Sequence, residues 1–145
     1  MKRSVLFVCI HNSARSQVAE EMLRKHGGDR YETQSAGIEP GRLNPNVIEV
    51  LKEDDGIDIS GKKTCSVADL IASGRTFDYV ITVCDETSAE RCPMFPGKHQ
   101  RIHWGFPDPS RFTGSRDEIL ARVREVKATI EERILSWLKE QDLRG

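Results

Sequence analysis

Residues 4–17 read Ser-Val-Leu-Phe-Val-Cys-Ile-His-Asn-Ser-Ala-Arg-Ser-Gln, an apolar run followed by small and polar residues. The run at residues 5–8 is uninterrupted and partly β-branched, which predicts a strand buried on both faces. This strand ends at Cys9, and a helical pattern begins near Arg15 or Ser16. The sequence therefore predicts a strand, a tight loop and a helix in direct succession.

The loop in this unit has the features of an anion-binding site. A strand that leads through a tight loop into a helix directs backbone N–H groups and the positive end of the helix at one point. An oxyanion held there would lie against Cys9 and under the forked guanidinium of Arg15. Because the same field favours a thiolate, Cys9 is a candidate nucleophile. The alternative is a buried strand-end cysteine beside an ordinary first-turn arginine.

The predicted anion-binding residues are the consecutive loop residues His11, Asn12, Ser13, Ala14, Arg15 and Ser16. Among them, Asn12 is the residue expected to adopt the left-handed backbone conformation that such a loop needs. The two serine hydroxyls can donate hydrogen bonds to the anion or to the sulfur of Cys9.

Composition disfavours several classes of protein. At 145 residues the chain is predicted to be a single domain, residues 1–145, with a core large enough to need no disulfides. Charged residues make up 31% of the chain, but the formal net charge of −1 argues against nucleic acid or an acidic membrane surface as a partner. With no membrane-spanning run and no signal peptide, we expect a cytoplasmic protein. Its four cysteines are then expected to be catalytic, redox-active or metal-binding rather than structural.

Beyond the loop, helical and strand patterns alternate, which predicts an α/β fold with a mostly parallel sheet and helices on both faces. The predicted elements are a helix ending at Gly27-Gly28, a strand over Tyr31–Ser35, helices from Asn44-Pro45 and over Val67–Ile71, strands over Phe77–Val83 and Arg101–Trp104, and a long amphipathic helix behind a capping box at Ser115–Glu118.

Three candidate catalytic residues follow predicted strands. Cys9 and Cys84 come directly after strand patterns, and Asp108 lies between two prolines in the loop after the last strand. The carboxyl ends of parallel strands form one edge of the sheet, so these side chains are expected to meet there. Asp108 is a candidate general acid for the departing oxygen of an oxyanion. A turn-forming aspartate beside prolines is an equally good interpretation of its local sequence.

Cys84 and Cys92 are separated by seven residues, six of which are polar. If this segment is helical, the step between the two cysteines is ~12 Å along the axis, too far for a disulfide. A bond between them therefore requires the segment to unwind. The arrangement predicts a relay in which Cys9 attacks the oxyanion, Cys84 displaces the product from Cys9, and Cys92 then forms a disulfide with Cys84.

A zinc site is the competing interpretation of the same cysteines. Cys84, Cys92, His99 and His103 carry suitable ligand atoms, but the two cysteines lie much farther apart than the usual two to four residues. Cys65 has no partner at an informative spacing and is interpreted as a small buried residue.

Three motifs in the chain resemble one known superfamily. Residues 8–17 resemble the oxyanion loop shared by low-molecular-weight protein tyrosine phosphatases and thioredoxin-coupled arsenate reductases. Residues 83–97 resemble the redox-cysteine segment of the reductases, and residues 103–115 resemble their acid loop. The resemblance implies a three-layer sandwich with a four-stranded parallel sheet flanked by helices.

The resemblance also implies an activity, the reduction of arsenate. Cys9 would attack the arsenate, Arg15 would bind its oxygens, Ser16 would support the thiolate and Asp108 would protonate the leaving oxygen. The two redox cysteines would then release arsenite and carry the disulfide toward the surface. Thioredoxin or a similar dithiol protein would regenerate the enzyme, with no tightly bound cofactor. Phosphate or sulfate would fit the same loop, and we expect a monomer.

The chain departs from the family pattern in a few places. His11 stands where many members carry glycine, and the two redox cysteines are one residue farther apart than in some members. Some reductases bind potassium near the loop. Asn12, Glu20 and Ser35 match that site, but the acidic ligand expected near residues 64–66 is not evident, so we predict no metal.

Two other functions remain open at this point. A low-molecular-weight phosphatase would use Cys9, Arg15 and Asp108 but has no use for Cys84 and Cys92. A protein that binds an anion or a metal without turnover would use neither Cys9 nor the pair Cys84 and Cys92 for chemistry. The presence of a nucleophile, an arginine, an acid and a cysteine pair makes the second alternative the weaker one.

Overall fold

The computed structural model describes residues 2–85, 91–92 and 95–143, and within them strands and helices alternate as the sequence predicts. In chain order the elements are β1 (Arg3–Cys9), α1 (Arg15–Gly27), β2 (Tyr31–Gly37), α2 (Pro45–Asp55), α3 (Val67–Ala72), β3 (Tyr79–Thr82), β4 (Gln100–His103) and α4 (Arg116–Leu143). Short 3-10 turns occupy Gly28–Arg30 and Pro109–Arg111.

The strands form one parallel sheet in the order β2-β1-β3-β4. The predicted parallel α/β fold is therefore confirmed. The third strand is shorter than the predicted Phe77–Val83, although Asp78 N and Val83 N still donate to β1 carbonyls at 3.0 and 2.8 Å. Because the chain runs from β1 outward to β2 and then returns to β3 on the other side, β1 lies at the point where the strand order reverses. Ligands bind at such a point, beyond the carboxyl ends of the strands.

Side chains of β1 alternate between two buried clusters, one on each face of the sheet. Phe7 and Cys9 join the cluster covered by α1, α2 and α4, which we call the α1 face. Leu6 and Val8 join the cluster covered by α3, which we call the α3 face. Residues 5–9 are all buried because both faces are covered, as an uninterrupted apolar strand requires.

The helix ends follow the capping signals in the sequence. Gly28, at the end of α1, has a positive φ of 56°, which a residue with a side chain adopts at a cost. The side chain of Asn44 caps α2 by accepting hydrogen bonds from the backbone N–H groups of Asn46 and Val47. At the start of α4, Glu118 N donates to Ser115 Oγ at 3.2 Å, which is one half of the predicted capping box.

Two other sequence predictions concern the segment between the redox cysteines and the absence of a membrane-spanning run. The helix-capable segment between Cys84 and Cys92 falls on residues 86–90, which lie outside the described residues. None of the helices described is both long and apolar enough to cross a bilayer.

Neighbouring residues of α4 give a direct test of the packing. Ile134 is fully buried on the α1 face, whereas Leu135 is 46% exposed. We expect Ile134→Ala to lower the free energy of unfolding by about 2–5 kcal/mol, because it leaves a cavity in the core. Leu135→Ala should change it by less than about 0.5 kcal/mol. Urea denaturation of both variants measures the difference, and equal losses would contradict this packing of α4.

Candidate active site

Four of the five predicted catalytic residues lie at the carboxyl edge of the sheet, and the fifth, Cys92, is packed in a cluster on the other face. Cys9 ends β1, Cys84 follows β3 by two residues, and Asp108 lies in the loop after β4. Arg15 connects the loop after Cys9 to the loop that carries Asp108. Its Nη1 donates to the carbonyl of Phe106 at 3.2 Å, and its Nη2 lies 3.7 Å from Asp108 Oδ2. The expected convergence of these elements is confirmed.

The segment that follows β2 supports the loop between Cys9 and α1, which we call the oxyanion loop (residues 9–16). The backbone N–H groups of Ile38, Glu39, Gly41 and Asn44 donate to the carbonyls of Cys9, Ile10, His11 and Ser13 at 2.7–3.1 Å. At the head of this segment, a Cβ on Gly37 would lie 2.8 Å from backbone atoms of the loop. The two backbones approach this closely only because residue 37 is glycine.

Asn12 determines the shape of the oxyanion loop. It is fully buried and has a positive φ of 55°, as the sequence predicts. Its side-chain Oδ1 accepts from the backbone N–H of Cys65 at 2.9 Å, and its carbonyl accepts from Gln17 Nε2 at 3.0 Å. These contacts stabilise a left-handed conformation that asparagine tolerates better than most residues.

The sulfur of Cys9 lies between two polar groups of the loop. The backbone N–H of Asn12 donates to Cys9 Sγ at 3.1 Å, and Ser16 Oγ lies 2.9 Å from the same atom. Asn12 Nδ2 donates to Ser16 Oγ at 2.9 Å, so the serine hydroxyl proton remains available for the sulfur. The backbone N–H of Asn12 is thus a donor to the sulfur, and Ser16 can be a second one whenever Cys9 is a thiolate, because a thiolate only accepts.

The front of the loop provides the remaining anion-binding groups. Among the described residues, the backbone N–H groups of Ser13 and Ala14 have no acceptor, and they lie at the N-terminal end of α1. Arg15, the first residue of α1, is almost fully buried. Unpaired N–H groups, a helix N-terminus and a buried arginine together form a site for a tetrahedral oxyanion. His11, by contrast, is exposed, and its Nδ1 lies 2.8 Å from the carbonyl of Glu39.

Asp108 is held at the edge of this site by local hydrogen bonding. Its Oδ1 accepts from the backbone N–H of Ser110 at 2.9 Å, which caps the 3-10 turn, while Oδ2 faces Arg15. Arg111 Nε also lies 3.9 Å from Oδ2, but that side chain is largely exposed. The turn-forming interpretation of Asp108 is confirmed for Oδ1, and Oδ2 is left facing Arg15. The role of Asp108 as a general acid stays a prediction.

Cys84 is a fully buried thiol near the nucleophile. Burial raises its pKa to about 11, and the positive charge of Arg15 only partly offsets that effect. The negative charge of a Cys9 thiolate raises the pKa further. Cys84 is therefore protonated, as a thiol, at neutral pH.

Cys92 lies on the other side of the sheet. It is buried in the cluster of the α3 face, whereas Cys9 and Cys84 belong to the cluster of the α1 face. The carbonyl of Cys92 accepts from Arg101 Nη2 at 3.1 Å. A bond between Cys92 and Cys84 therefore requires Cys92 to leave its cluster.

The residues that match the family's potassium site do not fit a metal ion in this protein. Glu20 Oε1 accepts from Ser35 Oγ at 2.5 Å, and Glu20 Oε2 lies 2.9 Å from Lys62 Nζ. The Oδ1 of Asn12 is already bonded to a backbone N–H. An ammonium group therefore stands beside the carboxylate where a cation would bind.

The zinc interpretation finds no support in the part of the chain that the structure describes. No group of three histidine, cysteine, aspartate or glutamate side chains in that part could hold a metal ion. His103 Nδ1 lies 2.7 Å from Thr82 Oγ1, and His99 Nδ1 lies 3.1 Å from the carbonyl of Gly97. Both rings are thus engaged in local contacts.

The interpretation of Cys65 as a buried packing residue is incomplete. Its side chain is half-buried, and its backbone N–H is what holds Asn12. The sequence contains no local signal for this contact, because the two residues are 53 positions apart and interact through a backbone group. The ion pairs of Lys62 with Glu20 and Glu21 of α1 were also not predicted. The signal for them is the adjacent pair of glutamates, because two carboxylates on a packed helix need a cation nearby.

Comparisons with known proteins show the family to which the chain belongs. Residues 4–144 match the low molecular weight phosphotyrosine protein phosphatase family. An arsenate reductase of Bacillus licheniformis is 42% identical over 133 residues, which cover 92% of this chain and 93% of that protein. A solved arsenate reductase in its intermediate state aligns with a TM-score of 0.75 at 30% identity, over 97% of this chain and 98% of that one.

A thioredoxin-dependent arsenate reductase of Corynebacterium glutamicum aligns with a TM-score of 0.69 at 32% identity. That alignment covers 99% of this chain, which spans 64% of the longer one. On the match over residues 4–144 and the identity to arsenate reductases over most of its length, the chain belongs to the low molecular weight phosphotyrosine protein phosphatase family, together with these reductases.

Proposed function

We propose that the protein is an arsenate reductase that works through a three-cysteine relay. The observation that carries this proposal is the second buried thiol, Cys84, at the same edge of the sheet as Cys9 and Arg15. A phosphatase needs only the nucleophile, the arginine and the acid. The similarity to arsenate reductases over most of the chain supports the same conclusion.

In the first step the Cys9 thiolate attacks arsenate bound to the oxyanion loop and Arg15. A sulfur–arsenic bond forms and an arsenic–oxygen bond breaks. Asp108, as the general acid, supplies the proton with which that oxygen leaves as water. The contacts of Arg15 with Phe106 and Asp108 support this assignment, because they join the loop that carries the acid to the arginine that directly follows the nucleophile's loop.

In the second step Cys84 attacks the sulfur of Cys9. A disulfide forms between them, and the electron pair of the sulfur–arsenic bond stays on arsenic. Arsenate is thereby reduced by two electrons and leaves as arsenite, while the two thiols are oxidised. Cys92 then attacks Cys84, which frees Cys9 and moves the disulfide to the 84–92 segment.

The cycle closes when an external dithiol protein of the thioredoxin type reduces this disulfide. One of the structural relatives is a thioredoxin-dependent enzyme, which supports this choice of donor. We propose that the protein works as a monomer in the cytoplasm without a tightly bound cofactor or metal. The free thiols of Cys9, Cys65 and Cys84 are consistent with a reducing compartment.

The test is arsenate-dependent NADPH oxidation coupled through thioredoxin and thioredoxin reductase. We expect sustained turnover by the wild type, and a loss of more than about a hundredfold in Cys84→Ser, because the serine cannot form the disulfide that expels arsenite. Cys9→Ser should be equally inactive. If the wild type shows no arsenate turnover while the wild type and Cys84→Ser hydrolyse an aryl phosphate equally well, the protein is a phosphatase instead.

Cys92→Ser separates the last step from the others. We expect one equivalent of arsenite per protein and then no further turnover, because the Cys9–Cys84 disulfide has no partner to release it. Quenched-flow measurement of arsenite, with mass spectrometry of the trapped disulfide, would detect this state. Continued multiple turnover of this variant with a thioredoxin donor would contradict the relay.

The pH dependence of the second step follows from the burial of Cys84. A thiol with a pKa of about 11 gains about tenfold in thiolate per pH unit throughout the neutral range. We therefore expect the single-turnover rate of arsenite release to rise with pH from neutral to mildly alkaline conditions. A flat profile would contradict the conclusion that this step waits for the thiolate of Cys84 to form, because a bound anion can only raise the pKa of that thiol further.

A further inference from the structure

Helix α1 carries two adjacent glutamates whose carboxylates are buried. Glu20 and Glu21 are 5% and 6% exposed, respectively. Buried carboxylates are costly unless cations and hydrogen-bond donors compensate them. Burial alone would raise the pKa of Glu20, but Lys62, Ser35 and Arg24 outweigh that effect and hold the pKa below its usual value.

Among the described residues, two cationic side chains form ion pairs with these glutamates, and they come from different parts of the chain. Arg24 belongs to the same helix, is half exposed, and lies 2.6 Å from Glu20 and 2.7 Å from Glu21. Lys62 comes from the loop between α2 and α3 and is only 28% exposed. Its Nζ lies 2.9 Å from Glu20 Oε2 and 3.1 Å from Glu21 Oε1. Lys62 therefore fixes a separate segment of the chain to α1.

That segment is the one that holds the oxyanion loop. Three residues after Lys62, the backbone N–H of Cys65 donates to Asn12 Oδ1 at 2.9 Å, and its carbonyl accepts from Gly37 N at 2.8 Å. Between them, Thr64 Oγ1 donates to the carbonyl of Gly41 at 2.7 Å. The segment is thus attached to the acidic pair at one end and to the oxyanion loop at the other.

We propose that Lys62 is a positioning residue for oxyanion binding. Its ammonium acts as a permanent internal counter-ion of Glu20 and Glu21 and so holds Cys65 against Asn12. The oxyanion loop then needs no bound monovalent cation to keep its shape. This inference extends beyond the proposed function, because it concerns the binding of any tetrahedral oxyanion and not the chemistry that follows.

The experiment measures the dissociation constant of inorganic phosphate for the reduced protein by titration calorimetry, which requires no turnover. The variants are Lys62→Met, Lys62→Arg and, as the matched control, Lys63→Met; Lys63 is the exposed neighbour without an ion pair in the described residues. We expect Lys62→Met to weaken phosphate binding about tenfold, a typical size for coupling between two sites. Lys62→Arg and Lys63→Met should stay within about threefold of the wild type.

Exchange of the salt tests the counter-ion role. At constant ionic strength, wild-type phosphate affinity should be the same in potassium and in tetramethylammonium salts. Lys62→Ala leaves room for a small cation beside the carboxylates, so potassium should restore most of its lost affinity and tetramethylammonium should not. A residue that merely stabilises the fold would lower the melting temperature without this dependence on the cation.

Three results would overturn the proposal. They are wild-type phosphate binding that depends on potassium, unchanged binding in Lys62→Met, and equal losses in Lys62→Arg and Lys62→Met. Failure of arsenate turnover in the wild type would overturn the proposed function and leave this inference intact. The wild-type salt comparison needs no variant, so the test holds even where a substitution prevents folding.

Discussion

The site depends on one residue, Asn12, whose backbone and side-chain polar groups all have partners. Its N–H meets the sulfur of Cys9, its carbonyl and Oδ1 accept from Gln17 and Cys65, and its Nδ2 donates to Ser16. The residue is fully buried and left-handed, so each unmade bond would cost the desolvation of a buried polar group. The shape of the anion site is therefore fixed before any ligand arrives, which is what electrostatic stabilisation of a reacting oxyanion requires.

The sequence allowed a correct prediction wherever the signal was local. An uninterrupted apolar strand before a polar loop predicted the buried β1 and the position of Cys9, and Asn44 and Gly28 fixed the ends of two helices. The approach of the loop carrying Asp108 to Arg15, just beyond the loop after β1, was also predictable, because parallel strands bring their carboxyl ends to one edge. The left-handed conformation of Asn12 followed from the small set of residues that tolerate it.

Contacts between distant parts of the chain could not be predicted in the same way. The support of the oxyanion loop by residues 37–44 and by Cys65 is made through backbone groups, which are the same for every residue type except proline. The pairing of Lys62 with the glutamates of α1 spans about forty positions and leaves no periodic pattern. The opposite faces of Cys84 and Cys92 were also not predicted, because residues 86–90 interrupt the strand pattern between them.

The location of Cys92 on the α3 face links protein stability to redox potential. With its thiol free, Cys92 belongs to the buried cluster that includes Leu6, Val80 and Phe95. In the proposed relay this packing is given up when Cys92 pairs with Cys84, so whatever free energy it contributes to the reduced fold opposes formation of the disulfide. Each ~1.4 kcal/mol of such packing makes the two-electron potential more oxidising by ~30 mV. In the proposed relay, a hydrophobic cluster on the α3 face thus influences how readily a dithiol donor reduces the Cys84–Cys92 disulfide.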